Sequence, residues 1–178
     1  MPRPVLGHHW YARRQLLVKQ PPAQALSWLF DHDSLTARLK RHCDTFEVRV
    51  LSQRYQRPSL DEQEILAIRP GRFALIRQVC LYCNGIAGVY ARTVIPTTTL
   101  VGYRRVYASL GTRPLGAMLF ADRTMKRDKV KVAEFSLEEL PLENAAGGGT
   151  CWGRRSIFRI GGKPLLVSEY FLPALAGT

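Results

Sequence analysis

The stretch RFALIRQVCLYCNGIAGVYARTVIP, residues 72–96, consists of two apolar, β-prone runs separated by Asn84-Gly85. Asn-Gly is the favoured pair for a two-residue type I′ turn. Both turn positions need a positive φ, and the turn's twist matches that of the strands it joins. The stretch therefore predicts an antiparallel hairpin. Counting outward from the turn, Cys83 faces Ile86 and Arg77 faces Arg92, with both arginines leaving one face beside Leu75, Val79 and Tyr90. Like charges directly opposite one another destabilise a sheet. At about 5 Å and an effective dielectric near 20 the repulsion is roughly 3 kcal/mol. Two readings of the pair stay open. Either both arginines extend to solvent from an exposed face, or an acid of the protein or an anionic ligand compensates them inside.

A second hairpin follows the same logic. WGRRSIFRIGGKPLLVSEYFLP, residues 152–173, turns at Gly161-Gly162, which sets Arg154 opposite Glu169. Read by twos, Leu165, Val167, Glu169 and Phe171 share a face, so a carboxylate interrupts a stripe otherwise suited to a core. Glu169 is either the ion-pair partner of an arginine or the proton-transfer group of a desolvated pocket. Burial raises a carboxyl pKa and neighbouring arginines lower it.

Around these hairpins the chain reads as follows. An N-terminal arm, residues 1–21, ends at Pro21-Pro22. AQALSWLF is a short helix with proline at its start. DSLTARLKRHC is a helix capped by Asp33 or Ser34, and TFEVRVLSQRY alternates as a strand. LVGYRRVYASLG reads as a helix closed by Gly111. TRPLGAMLF restarts with Thr112 as cap and Pro114 in the first turn, leaving backbone N–H groups near Leu115-Gly116 for a carboxylate. RDKVKVAEF is a further strand. An acidic, then Gly-rich excursion occupies about residues 134–150 as a flexible insertion. Five or so strands, mostly in adjacent hairpins, predict a single α+β domain over residues 1–178, with a mainly antiparallel β-sheet and helices packed on one face.

Composition narrows the partners. With 46% hydrophobic residues among 178, the chain has enough apolar side chains for a core. Its net charge is +12, and 20 of its 26 basic residues are arginine. That balance favours an anionic partner, whether nucleic acid, a membrane surface or an acidic small molecule. Arginine binds carboxylate and phosphate bidentately. No RNP-like aromatic motif accompanies the charge, which argues against nucleic acid. No apolar run approaches the length of a transmembrane helix, and the first residues lack the apolar core of a signal peptide, so a cytoplasmic location is expected. The four cysteines read as free thiols in or near a core. Cys80 and Cys83, three apart on a strand, point to opposite faces. The histidines (His8, His9, His32, His42) lack zinc-like spacing, so no metal site is expected.

WLFDHDSLTARL, LIRQVCL, ARTVIPTTTL, LGTRPLGAMLF, TMKRD and WGRRSIFRIGGKPLLVSEYFLP together resemble the bacterial chorismate lyase (chorismate pyruvate-lyase) family of ubiquinone biosynthesis, in family order from about residue 28 to 173. The resemblance implies conversion of chorismate to 4-hydroxybenzoate and pyruvate, with no cofactor. It also implies a monomer and a buried ligand site under helical flaps. Carried over motif by motif, Arg77 binds a substrate or product carboxylate, and the Leu115 backbone meets the ligand. Glu169 meets the product hydroxyl end, and Arg92 belongs to the same pocket. Leu35 stands at a flap position where the family commonly has Met, a volume-conserving exchange. The mechanism this implies uses Arg77 and Arg92 to hold a dianion and Glu169 as general acid/base. The alternative is a non-catalytic domain that senses aromatic acids, since ligand-binding domains of some transcription regulators resemble this fold.

Overall fold

The computed structural model describes residues 8–16, 20–142 and 148–176. The start of the N-terminal arm and residues 143–147 of the insertion lie outside the described residues. The hairpin predicted around Asn84-Gly85 is present as β3 (Ala74–Cys83) and β4 (Ile86–Pro96). Asn84 and Gly85 take φ values of 51° and 76°, as a type I′ turn demands.

The register, however, slips by one. Tyr82 faces Ala87 but Leu81 faces Val89, so Gly88 is an extra residue on β4. Its carbonyl accepts a hydrogen bond from the Leu172 backbone N–H at 2.9 Å, which satisfies the group the bulge takes out of the ladder. Beyond the bulge every β4 side chain changes face relative to the simple count. Arg77 faces Thr93, and Arg92 faces Gln78. The expected Arg77–Arg92 opposition is therefore wrong: the two arginines leave opposite faces, and the repulsion does not arise. A glycine inside a strand pattern is itself a bulge signal, so Gly88 carried the warning.

Two-residue β1 (Tyr11–Ala12) begins the described chain, followed by α1 (Ala23–Leu29), α2 (Leu35–His42), β2 (Phe46–Gln56) and α3 (Leu60–Ile65). After β4 come α4 (Thr97–Leu100), α5 (Arg104–Ala108) and α6 (Leu115–Ala121). Next are β5 (Lys126–Arg127), β6 (Lys131–Ser136), β7 (Thr150–Ile160), β8 (Lys163–Phe171) and α7 (Pro173–Ala176). All pairings are antiparallel, in the order β1-β6-β7-β8-β4-β3-β2, with β5 also paired to β7. The second hairpin keeps its predicted register: Arg154 faces Glu169.

On one face, α1 and α2 pack Trp28, Leu29, Leu35 and Leu39 against Val48, Val79, Val89 and Phe171. Beside them Tyr107, Leu110 and Leu119, from α5, the residues after it and α6, pack on Leu75, Ile95, Leu165 and Val167. The opposite face is also covered. Ile65 and Leu66 sit on Ile76, Val94 and Leu166, and Leu137 and Leu140 sit with Phe135 and Tyr170. The expected helix layer on one face is present, and the short helix α3 adds cover on the other.

Three local expectations also change. LVGYRRVYASLG is not one helix: α4 and α5 are separated by a turn in which Gly102 takes φ 87°. The N-cap of α6 is Pro114, not Thr112. Helix α3 is an addition, closed by a capping box in which Ser59 and Glu62 satisfy one another's backbone N–H groups. The cysteines depart from free thiols as well. Cys43, at the C-cap of α2, and Cys83, at the end of β3, form a disulfide, while Cys80 and Cys151 are free and buried. Cys43 and Cys83 are 40 residues apart and on different elements, a pairing that spacing does not reveal.

Gly153 on β7 carries a packing requirement. A Cβ there would lie 2.9 Å from the Tyr170 ring and 3.1 Å from the Phe135 ring, both of them buried. Overpacking a tight core costs about 1–3 kcal/mol. Gly153→Ala is therefore expected to lower unfolding free energy by that amount in a denaturant titration, with no change in the m-value.

Candidate active site

The face of the sheet under α1, α2 and α6 holds a narrow cleft between the central strands and the covering helices α2 and α6, with a cavity of about 50 Å³. Arg77, Leu35, Leu115 and Glu169, the positions expected to meet a ligand, all line it. So do two arginines that were not among them, Arg127 and Arg154.

Arg77 rises from the middle of β3 and is only 3% exposed. Its guanidinium donates to Gln53 Oε1 at 2.7 Å, to the Gly111 carbonyl at 2.9 Å and to the Arg113 carbonyl at 3.3 Å. All three acceptors are neutral, and Arg77 has no carboxylate partner among the described residues. Burial pushes its pKa down, because desolvation penalises a charge that nothing opposes.

Arg154 and Glu169 face each other on β7 and β8, with Arg154 Nε donating to Glu169 Oε2 at 2.6 Å. Arg154 is 1% exposed, and its Nη1 also donates to the carbonyls of Trp28 and Asp31 at 2.7 and 2.9 Å. Arg127, from β5, donates to Ser156 Oγ at 3.1 Å and to the Asp31 carbonyl at 3.1 Å. Burial first, then the neighbouring Arg154 charge, bring the Arg127 pKa down to about 10, against the opposing pull of Glu169 and Asp31. It remains a cation at neutral pH. Aromatic rings orient both guanidiniums: Arg154 lies over Phe171 and Arg127 over Phe158.

The cleft thus sets three interior guanidiniums against one interior carboxylate, Glu169, with Asp33 at the exposed rim. An apolar wall of Val48, Val79, Leu81, Ala91, Leu119 and Phe158 surrounds them. A desolvated excess of positive charge is costly, and an anion relieves it.

Strand geometry separates the polar ends. Arg77 and Glu169 lie two strands and two residues apart, because Arg77 faces Thr93, which faces Val167. At ordinary sheet spacings their Cα atoms stand about 12 Å apart along a diagonal. That leaves room for a ring with a carboxylate at one end and a hydroxyl at the other.

The arginines also tie down the cover. Arg77 holds the carbonyls of Gly111 and Arg113, just before α6. Arg127 and Arg154 hold the Asp31 carbonyl, just before α2. Leu35 opens α2 behind the cap Ser34, whose Oγ accepts from the Ala37 N–H at 3.3 Å. Leu115 opens α6, and Gly116 lets the helices approach: a Cβ there would be 3.2 Å from Thr36 Oγ1.

Arg92 does not belong to this cleft. It projects from the other face of the sheet and forms a two-point pair with Glu62 on α3, at 2.7 and 3.0 Å. The Gly88 bulge is the cause. The positions expected of Arg92 are filled by Arg127 and Arg154. Arg154 was legible from the second hairpin; Arg127, on a two-residue strand in TMKRD, gave no periodic signal.

Comparisons with known proteins bear on the family and the fold. The family model described as chorismate lyase matches residues 8–176. A protein of Methylococcus capsulatus named "Probable chorismate pyruvate-lyase" is 44% identical over 153 residues, covering 84% of this chain and 94% of that one. One of Azoarcus sp. with the same name is 38% identical, covering 99% and 97%. The chorismate pyruvate-lyase of Erwinia tasmaniensis is 36% identical, covering 85% and 80%. Among solved structures, PhnF from Mycobacterium smegmatis superposes with a TM-score of 0.61 at 13% identity, covering 82% of this chain and 66% of that one. The PhnF effector domain gives 0.59 at 12% identity, covering 87% and 93%, so the two share a fold. From the family match and these relatives, the chain belongs to the chorismate lyase family.

Proposed function

We propose that the protein converts chorismate to 4-hydroxybenzoate and pyruvate, the reaction that feeds ubiquinone synthesis. The observation that carries the proposal is the set of three arginines, two of them fully buried, that face a single carboxylate inside a narrow apolar cleft. Chorismate is a dianion with one carboxylate on its ring and another on its enolpyruvyl ether. Arg77 takes the ring carboxylate. Arg127 and Arg154 face the enolpyruvyl side, where negative charge develops on the ether oxygen as the carbon–oxygen bond breaks. Fixed donors of this kind are worth about 3–4 kcal/mol each at a transition state.

Glu169 stands at the hydroxyl end. The proton lost is the one on the hydroxyl-bearing ring carbon, next to the ether carbon. As that C–H electron pair forms the new ring double bond, the ether bond breaks and enolpyruvate departs, to be protonated to pyruvate. Glu169 receives the ring proton, a role worth about 10²–10⁴-fold. The ring becomes aromatic, so the step runs downhill. A cavity of about 50 Å³ is too small for chorismate, so α2 and α6 move for entry and exit. The arginines that bind the anion also hold the carbonyls ahead of both helices, so ligand and cover compete for the same donors. These groups complete the site within a single chain, so the reading requires no second subunit.

The test is incubation of purified protein with chorismate in the presence of a chelator. Pyruvate and 4-hydroxybenzoate are expected in equal amounts. A second reading, an aromatic-acid sensor, is favoured only by the shared fold of the PhnF effector domain. Tight binding of chorismate with no pyruvate formed would replace the first reading with the second.

A further inference from the structure

The sheet face opposite the cleft carries a larger cavity, of about 320 Å³. Its floor is a polar row crossing four strands: Gln78 faces Arg92, Arg92 faces Ser168, and Ser168 faces Arg155. Each of these is the chain neighbour of a residue in or next to the first cleft: Arg77, Thr93, Glu169 and Arg154. Two sites thus stand back to back on the same four strands, with alternate residues pointing each way. The insertion expected to be a flexible excursion supplies part of the far wall through Glu139 and Pro141.

Two observations point to a ligand. The side-chain amide nitrogen of Gln56, which lines this cavity, is buried with no hydrogen-bond partner among the described residues. Buried donors are nearly always satisfied. The second is the partner of Arg155. The Arg155 side chain is 8% exposed and stacks on the Trp10 ring at 4.2 Å, yet its carboxylate partner Asp61 is 46% exposed. Asp61 sits on the first turn of α3 and reaches in from the surface, and among the described residues its carboxylate has no other hydrogen bond. Glu62, by contrast, is tied into the α3 cap as well as to Arg92. Asp61 occupies the guanidinium as a carboxylate that an incoming one can displace. Trp10, Tyr90 and Leu166 offer flat apolar surface beside it.

We propose that this cavity is a second binding site, separate from the catalytic cleft, that takes a small ring-bearing carboxylate. The ligand's carboxylate replaces Asp61 on Arg155 and accepts from the Ser168 hydroxyl, its ring lies against Trp10 and Tyr90, and a polar substituent across the ring accepts from Gln56. The site is independent of the reaction assigned to the other face.

Benzoate is a suitable probe, read by the part of the tryptophan fluorescence that Trp10→Phe removes. Saturable quenching of that part is expected in the wild-type protein. Asp61→Asn, which removes the competing charge, should tighten benzoate binding about tenfold, a gain that misfolding cannot imitate. Arg155→Gln should abolish the signal. No Trp10-dependent change in either the wild type or Asp61→Asn would overturn the proposal and leave an ordinary ion pair beside a water-filled recess. Equal affinity in the wild type and Asp61→Asn would overturn it too, because the ligand would not then compete for Arg155.

Discussion

Arg77→Met is expected to lower kcat/KM on chorismate by about 10²–10³-fold, corresponding to about 3–4 kcal/mol of lost anion stabilisation. It should do so without weakening the free protein. Arg77 is buried, its pKa is pushed down by desolvation, and its acceptors are all neutral. Replacing it removes three hydrogen bonds but also a desolvated charge that lacks a counter-ion. Removing the uncompensated charge offsets the cost of the acceptors left without a donor. Chemical denaturation of the unliganded variant should therefore show a midpoint close to wild type. Thermal stabilisation by added 4-hydroxybenzoate should disappear. The two readouts move apart only if Arg77 exists for the ligand. A variant that unfolds more easily but still turns over chorismate at the wild-type rate would make it a structural tie for the loop ahead of α6.

Glu169→Gln is expected to reduce kcat by about 10²–10⁴-fold, the span of a lost proton-transfer group. Here stability should fall as well. Glu169 is the only carboxylate on Arg154 among the described residues, and Arg154 is 1% exposed. An amide keeps an oxygen acceptor but not the charge, and a hydrogen bond to a charged group is worth about 1.5–3 kcal/mol. A second variant separates the roles. Removing both partners, as in Arg154→Met with Glu169→Leu, leaves neither half of this ion pair buried alone and should recover part of the stability, while activity stays lost. Near-normal kcat in Glu169→Gln would remove Glu169 from the chemistry and leave it as the counter-ion of Arg154.

Both hairpins were legible because their turns are chemically specific. Asn84-Gly85 and Gly161-Gly162 take the positive φ values that few other pairs tolerate, and a two-residue turn dictates register. The Arg154–Glu169 pair came directly from that count. The same count failed for Arg92 because it passed over Gly88, and one inserted residue moves every later side chain to the other face. Helix α3 was missed although Ser59 and Glu62 stand at capping-box spacing, and nothing local says that this helix would carry the acid that holds Arg92.

What the sequence determined by itself is therefore what short-range stereochemistry controls: two tight turns, the strands they join, the cap of α2 and the motifs that mark the family. Tertiary structure alone decided which charges share a cavity. Arg77 on β3, Arg127 on β5 and Arg154 on β7 meet because the sheet order brings β8 and β4 between them and two helices close above. The far-side cavity and the Cys43–Cys83 bond arise in the same way. Contacts between residues distant along the chain depend on the path of the whole sheet, and no window of neighbouring residues encodes that path.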